Sequence, residues 1–252
     1  MAPRPVHDEL LLGGRWLPLT RSIIFVDQEA EEFVETWMAW RGAVIMRDTG
    51  CVPVVSRIGG TLEDALAAML PLATAVPSKC LVMPTANGWS AFVENDWMGT
   101  EVQLTPWALA ANGLRTVAVS EAPHTYSART DRGWWGERKV TAYVPSLEHP
   151  DEPDGGTVGV RTTESGRWEV AVPPTPLPFP DPTDHTARRI RDRFTHGHLL
   201  EVAEWFGLRP TDPGFYTPGG EAFLIERTDP RDPSWHELTL EQAYGIDRPV
   251  FP

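Results

Sequence analysis

The sequence predicts an α+β fold, with a mostly antiparallel sheet, several β-hairpins and about five helices packed on it. Short apolar runs bounded by turn residues outnumber the helical segments, which is typical of hairpin-rich sheets. Strand and helix patterns do not alternate regularly, and this argues against a doubly wound parallel sheet. The chain also shows no internal repeat of fixed period, which argues against a solenoid or a propeller.

The first elements follow from turn residues and from the spacing of apolar residues. Two apolar runs flank Gly13 and Gly14, which favours a hairpin over residues 10–26. Asp27 can cap a helix that begins after this hairpin. The apolar residues of that helix recur at helical spacing and are Ala30, Phe33, Val34, Trp37 and Met38.

Two short strands and a second helix are predicted next. Residues 43–46 and 51–55 form apolar runs around a turn, so both are expected to be strands. Thr61 and Asp64 form a variant of the capping box, which opens a helix. The inward residues of this helix are Leu62, Ala65, Leu66, Met69 and Leu70.

The centre of the chain carries the clearest hairpin signal. Residues 79–83 and 89–94 are two strand-like runs, and Asn87-Gly88 between them favours a tight turn. A helix is expected to begin at Thr105-Pro106 and to end at Asn112-Gly113, because proline suits a first helical turn and glycine a helix end.

The remaining strands are predicted at 114–119, 124–129, 139–144, 157–161, 168–172 and 222–225. Turn residues 131–133 pair the second of these strands with the third, and residues 164–166 pair the fourth with the fifth. Asp181 and Thr195 are predicted to cap two helices, the second of which stops at Gly207.

The chain divides into three regions of different composition. Residues 1–172 are predicted to form an α+β main domain with antiparallel hairpins. Residues 173–182 are rich in proline and should form an extended linker on the surface, since proline has no amide donor and restricts the residue before it. Residues 183–252 should form a C-terminal helical segment that packs on the main domain, which gives one compact unit.

Composition excludes several classes of protein. The net charge is −13, from 22 basic and 35 acidic residues, so the surface repels nucleic-acid phosphates and favours a basic protein partner. No run approaches the roughly 18 consecutive apolar residues of a membrane span. The N-terminus also lacks the apolar region of a secretory signal. We therefore expect a cytoplasmic protein with neither nucleic-acid nor membrane partners.

Local signatures of common catalytic sites are missing. The sequence contains no glycine-rich phosphate loop, dinucleotide fingerprint, zinc-protease motif, serine-hydrolase elbow or C-x-x-C pair. His196 and His198 would lie about 200° apart in the first turn of a helix, which spoils joint ligation. Cys51 and Cys80 lie in apolar runs and are expected to be free core thiols. The sequence thus predicts neither a metal site nor a cofactor.

An acidic loop follows the central hairpin and is the first candidate contact site. Glu94, Asp96 and Glu101 lie beside Trp97, and carboxylates next to tryptophan can bind a cationic side chain through charge and cation–π contact. The alternative is a structural turn in which Asn95 and Asp96 bind the local backbone, with Trp97 in the core.

Two adjacent tryptophans form the second candidate contact site. Neighbouring strand residues face opposite sides, so Trp134 and Trp135 cannot both point inward from a hairpin tip. An exposed tryptophan is a common anchor in protein interfaces. The alternative is that another element of the fold covers the outward-facing ring.

Parts of the chain resemble a group of uncharacterised bacterial proteins. The resemblance rests on Pro84–Glu101, on residues 113–117 and on the later run 187–194. That group usually carries an aromatic-Asp-Asn-Gly pattern where this chain has Val93-Glu94-Asn95-Asp96. In size, acidity and tryptophan-rich α+β make-up, the chain is also similar to immunity proteins that neutralise bacterial toxins. The resemblance implies a bacterial binding protein and implies no activity.

Two functional hypotheses follow. The first is an acidic cytoplasmic protein that neutralises a basic toxin or effector by occlusion, with Glu94, Asp96, Trp97, Glu101, Trp134 and Trp135 as contact candidates. The alternative is an enzyme of small-molecule or secondary metabolism. Its site would combine the loop carboxylates with His124 in a tryptophan-lined pocket.

Overall fold

A nine-stranded antiparallel sheet forms the centre of the molecule, as a computed structural model shows. The structure describes residues 7, 9–129, 133–149, 152–163, 165–171, 177, 179–216, 222–230, 232 and 235–245. The strands are β1 (Ser22–Val26), β2 (Val54–Ile58), β3 (Leu72–Ala73), β4 (Lys79–Pro84), β5 (Ser90–Glu94), β6 (Thr116–Ala122), β7 (Glu137–Val144), β8 (Asp154–Thr162), β9 (Trp168–Ala171), β10 (Ala222–Glu226) and β11 (Glu237–Leu238).

Seven α-helical segments accompany the strands in the described ranges, and five of them span seven residues or more. They are α1 (Leu17–Thr20), α2 (Ala30–Trp37), α3 (Ala43–Thr49), α4 (Leu62–Ala68), α5 (Leu104–Ala111), α6 (His196–Trp205) and α7 (Leu240–Ala243). The predicted α+β class is confirmed. Within the described ranges, no helix combines the length and the apolar character that crossing a membrane requires.

The strand order in the large sheet is β2-β10-β4-β5-β1-β6-β7-β8-β9, and every neighbouring pair is antiparallel. Strands β3 and β11 form a separate two-stranded sheet. The C-terminal region contributes β10 to the large sheet, between β2 and β4. Strands β2 and β9 are the outer strands of this sheet among the described residues.

Helices cover both faces of the sheet, because successive strand residues point to opposite sides. On the first face, Phe25 and Leu81 pack with residues of α4 and α6. On the second face, Ile24, Val82 and Phe92 pack with residues of α2 and α5. The core is therefore split into two apolar layers by one sheet.

Local sequence signals are confirmed where they specify one tight turn or cap. Strands β4 and β5 form the predicted hairpin, and Gly88 has φ +84° in its turn. Thr61 caps α4 in a capping box with Asp64. Thr195 caps α6 in the same way with His198, and the helix ends before Gly207.

The predicted hairpin over residues 10–26 is wrong. Leu11–Gly14 is a 3₁₀ turn, and Leu12, Gly13 and Gly14 all have positive φ, so the first apolar run cannot extend as a strand. Helix α1 follows, with Pro18 in its first turn, and only β1 is a strand.

The predicted strand over 43–46 is also wrong. These residues belong to α3, which continues from α2 through a π-helical stretch, Met38–Gly42, and ends at Gly50. The run Ala-Val-Ile-Met has no helical period of its own, and the preceding helix determines its conformation. The second predicted strand starts three residues late, at Val54.

Two later predictions are wrong, the first because of strand pairing and the second because of a local turn. Strand β7 pairs with β6 on one side and with β8 on the other, so residues 124–129 do not pair with it. They instead contact Trp134 through the amides of Thr125 and Tyr126. The helix predicted after Asp181 is reduced to a 3₁₀ turn, Ile190–Asp192. The Asp181 side chain accepts from the Thr183 amide at 2.9 Å, which forms a turn instead of a helix cap.

The proline-rich segment is described only in part. Residues 172–176 and 178 lie outside the described residues, so the conformation expected for them stays a prediction. Residues 177 and 179–182 are not helical, as expected. Phe179 is buried against Phe206, so the segment does not run over the surface at that residue.

Candidate functional site

The acidic loop begins at Glu94, the last residue of β5. Its amide donates to the Thr100 hydroxyl at 2.9 Å, which closes the loop over six residues. The carboxylate is only partly exposed, and burial raises the pKa of Glu94 to about 7, with a further contribution from the charges of Asp96 and Glu101. At neutral pH this side chain is therefore only partly charged.

The next two residues of the loop bind backbone groups. The Asn95 side chain is buried and accepts from the amides of Ser78 and Lys79 at 2.9 and 3.0 Å. Asp96 accepts from the Met98 amide at 2.7 Å, which is an Asx turn. These contacts match the structural alternative that the sequence left open, and Trp97 packs against the core of the first face.

Glu101 caps helix α5. Its carboxylate accepts from the amides of Gln103, Leu104 and Thr105 at 2.7, 2.6 and 2.7 Å. These are the first amides of the helix, which have no partner within it. The loop carboxylates are thus engaged by their own backbone and are less available to a partner than the sequence indicates.

Trp134 and Trp135 face different surroundings. Trp134 is buried, and the Arg21 guanidinium lies 4.9 Å from its ring centre. Trp135 is half-buried and stacks on Tyr126 with ring centres 3.9 Å apart. Trp134 is therefore not an exposed anchor, and the more exposed ring of Trp135 is stacked on Tyr126.

His124 is not brought together with the loop carboxylates. Its Nδ1 accepts from the Gly136 amide at 3.3 Å, and its ring lies beside Trp135 and Trp168. Three cavities among the described residues are lined by side chains other than His124 and those of the acidic loop. The geometry therefore gives no support to the enzymatic site predicted from these residues.

A buried ion cluster lies beneath Trp134. Arg21 and Lys139 donate to the two carboxylate oxygens of Glu137 at 2.6 and 2.8 Å. Burial alone would raise the pKa of Glu137, but the two positive charges outweigh it and hold the pKa at about 2. Two cations and one anion are therefore enclosed together.

A second charged cluster opens to solvent on the first face. Glu121, near the end of β6, accepts from Arg138 Nε at 2.7 Å, and its other oxygen lies 2.8 Å from His196 Nδ1. The hydrogen bond to Glu121 raises the pKa of His196. Burial opposes ionisation of Glu121, yet the bonds from His196 and Arg138 lower its pKa overall.

This cluster borders a cleft of about 440 Å³. The cleft is lined by His7, Glu9, Leu10, Glu121, Ala122, Pro123 and Arg138. Candidate ligand atoms of Glu9, Glu121 and His196 all lie within 4.8 Å of one another. The Nε2 atom of His7 is buried and has no hydrogen-bond partner among the described residues. Glu9, Glu121 and His196 are therefore the residues that could hold a metal ion.

Sequence reasoning missed this second cluster because its members are far apart in the chain. It paired His196 with His198, whereas the His198 ring instead accepts from the Thr195 amide as part of the helix cap. One signal was available: Glu121 in β6 lies opposite Arg138 in β7, a cross-strand pair of opposite charge.

An exposed apolar edge lies at the other end of the sheet. Strand β2 pairs with β10 on one side, and no other described strand pairs with it. Large apolar side chains are exposed on β2 and just before it in the chain, and they are Val52 (56%), Val54 (52%) and Val55 (38%). Helix α2 next to this edge exposes Glu31, Glu32 and Glu35.

Comparison of the chain with protein-family models, curated proteins and solved structures returned no match. The similarity to bacterial immunity proteins therefore stays a prediction, and function has to be argued from the chain's own residues.

Proposed function

We propose that this protein binds a basic protein partner along the outer edge of β2 and the neighbouring acidic face of α2. Binding would occlude the partner, as an immunity protein occludes its toxin. The observation that carries the proposal is the apolar outer edge of β2, which has a free side among the described strands. The function class is the one expected from the sequence, and the proposed surface is different.

An unpaired strand edge is a template for an additional strand. Natural proteins usually protect such edges with charged residues, proline or a covering loop. The only charged residue of β2 is Arg57, and its guanidinium pairs with Glu31 and lies 4.8 Å from the Phe223 ring centre. Arg57 is thus held against the second face of the sheet, which leaves Val54 and Val55 accessible.

Charge favours a basic strand over other partners. Exposed glutamates of α2 border the edge, and the whole chain carries a net charge of −13. Such a field speeds the approach of a cationic partner and opposes pairing between two copies of this acidic chain. Main-chain hydrogen bonds would supply affinity, and the valines would contact alternate side chains of the added strand.

A second apolar patch offers an alternative surface for the same function. Leu104 and Trp107 on α5 are 73% and 40% exposed, and Met98 in the acidic loop is 40% exposed. Glu101 lies between them in the chain, so this patch adjoins the contact residues expected from the sequence. Its described residues lie on a helix and a loop and not on a strand edge, and we rank it second for that reason.

The test uses labelled eight-residue peptides that alternate valine with arginine, or valine with glutamate, measured by fluorescence anisotropy. The basic peptide should bind, and more weakly at high salt, whereas the acidic peptide should not. Val55→Lys should weaken binding at least about tenfold, because it places a like charge at the edge. Leu147→Lys is the matched control, since Leu147 is 99% exposed elsewhere.

Each contrary outcome has a defined meaning. If Trp107→Ala weakens binding and Val55→Lys does not, the partner docks on α5 and the edge proposal is wrong. If both peptides bind equally, or neither binds at any salt concentration, basic-strand recognition is wrong as a whole.

A further inference from the structure

We infer that Glu9, Glu121 and His196 form a binding site for a divalent transition-metal ion, with zinc as the best match. This site is independent of the proposed protein-binding edge, because it lies on β6, on α6 and in the N-terminal segment. The inference rests on the donor set, on its spacing and on the cleft into which it opens.

The donor set suits zinc. Zinc in proteins is held by imidazole nitrogens at about 2.0–2.1 Å and carboxylate oxygens at about 2.0–2.2 Å, usually in tetrahedral geometry. One histidine and two glutamates supply three such ligands here. Three protein ligands with an open fourth position are typical of zinc sites that keep access to solvent.

The distances between the ligand atoms suit a zinc ion after a small adjustment. Ligand atoms around a tetrahedral zinc ion lie about 3.4 Å apart. His196 Nδ1 and the facing oxygen of Glu121 are 2.8 Å apart, so a metal ion between them has to widen the gap by about 0.6 Å. Glu9 is exposed and supplies the third ligand, and the candidate ligand atoms of all three residues lie within 4.8 Å of one another.

Two neighbouring side chains, Arg138 and His7, also favour a metal ion at this position. Arg138 binds the other oxygen of Glu121 at 2.7 Å, which fixes the carboxylate and leaves the oxygen facing His196 for the ion. His7 lines the same cleft, and its buried Nε2 has no hydrogen-bond partner among the described residues. A buried imidazole nitrogen without a partner is costly unless something binds it, and a water molecule at the open position of the metal ion would do so.

The net charge of the site is also compatible with a divalent ion. Glu9 and Glu121 carry two negative charges and Arg138 one positive charge, so the site without an ion has an excess of one negative charge when His196 is neutral. A divalent ion changes the net charge of the site from −1 to +1. The cleft of about 440 Å³ leaves room for water or a small ligand at the open position.

Isothermal titration calorimetry of the full chain with zinc chloride tests the inference. We expect one saturable site. Glu9→Gln and His196→Gln should each weaken it at least about tenfold, since each removes a direct ligand. Glu204→Gln and His185→Gln are the matched controls, because both residues are exposed and lie outside the cleft.

Glu9→Gln is the decisive variant, because Glu9 is exposed and its replacement should not disturb the fold. Circular dichroism shows whether His196→Gln still folds. If it does not fold, the zinc affinity of Glu9→Gln alone tests the inference. The inference is overturned if zinc shows no saturable binding. It is equally overturned if Glu9→Gln binds zinc as tightly as the parent chain does.

Discussion

Arg21 Nη2 donates to Glu137 Oε1 across 2.6 Å, and the two side chains are only 7% and 12% exposed. Lys139 binds the second oxygen of the same carboxylate. Desolvating three charges is costly, and a single anion compensates two cations here. The stability of this part of the sheet therefore depends on Glu137 more than on either of its partners.

Glu137→Gln should lower the free energy of unfolding by about 3–5 kcal/mol, because it leaves Arg21 and Lys139 buried without a compensating charge. Urea unfolding followed by circular dichroism measures this loss. Glu169→Gln is the control: its ion pair with Arg161 is about half exposed, so the loss should stay below about 1 kcal/mol. Equal losses in the two variants would show that burial does not govern the Glu137 pair.

Glu94 should make the fold less stable as pH rises. Its pKa is about 7 in the folded chain and 4.5 for an ordinary glutamate, so the folded state holds the proton more tightly. The cost of ionising it begins above pH 4.5, grows through pH 7 and reaches about 3 kcal/mol at most.

Glu94→Gln removes that cost. The variant should match the parent chain in urea unfolding at pH 4.5 and exceed it in stability at pH 8. If the stability of the parent chain and that of Glu94→Gln depend on pH in the same way over this range, the raised pKa of Glu94 is contradicted.

Asp96 should behave as a turn residue. Its side chain accepts from the Met98 amide, and Asn at this position keeps that acceptor whereas Lys removes it. Asp96→Lys should therefore cost about 1 kcal/mol in urea unfolding, and Asp96→Asn much less. If Asp96→Lys leaves stability unchanged and slows association with the basic peptide, the loop is a recognition site after all.

Trp134 should contribute to stability through packing. Trp134→Ala removes a buried ring from above Arg21, and such substitutions cost about 3–5 kcal/mol. Trp205→Ala provides the comparison, because Trp205 is 61% exposed and should lose less than about 1 kcal/mol. Thermal unfolding of both variants measures the difference, and similar midpoints would contradict the burial of Trp134.

Sequence reasoning succeeded where a few adjacent residues determine the structure. Asn87-Gly88 specifies its hairpin, and Thr61 and Thr195 specify helix starts, because the contacts involved span four residues or fewer. It failed for residues 43–46, where the preceding helix overrides an apolar run that could be either strand or helix.

The two charged clusters could not be predicted from local sequence patterns, because their members are far apart in the chain. Glu121 and His196 are 75 residues apart, and Arg21 and Glu137 are 116 residues apart. The pairing of β1 with β6 and of β6 with β7 brings Arg21 and Glu137 together, and the packing of α6 against β7 brings His196 to Glu121. The acidic loop was located correctly, but its use in capping α5 depends on the position of Glu101 relative to the first helical amides.

The position of β10 between β2 and β4 has a consequence for synthesis on the ribosome. Residues 54–58 leave the ribosome long before residues 222–226, and in the finished sheet they pair only with those later residues among the described strands. During most of translation β2 therefore has no strand to join, and the apolar residues around it stay accessible to chaperones. A chain that stops before residue 222 should keep the hairpin of β4 and β5 and release residues 54–58 to proteases.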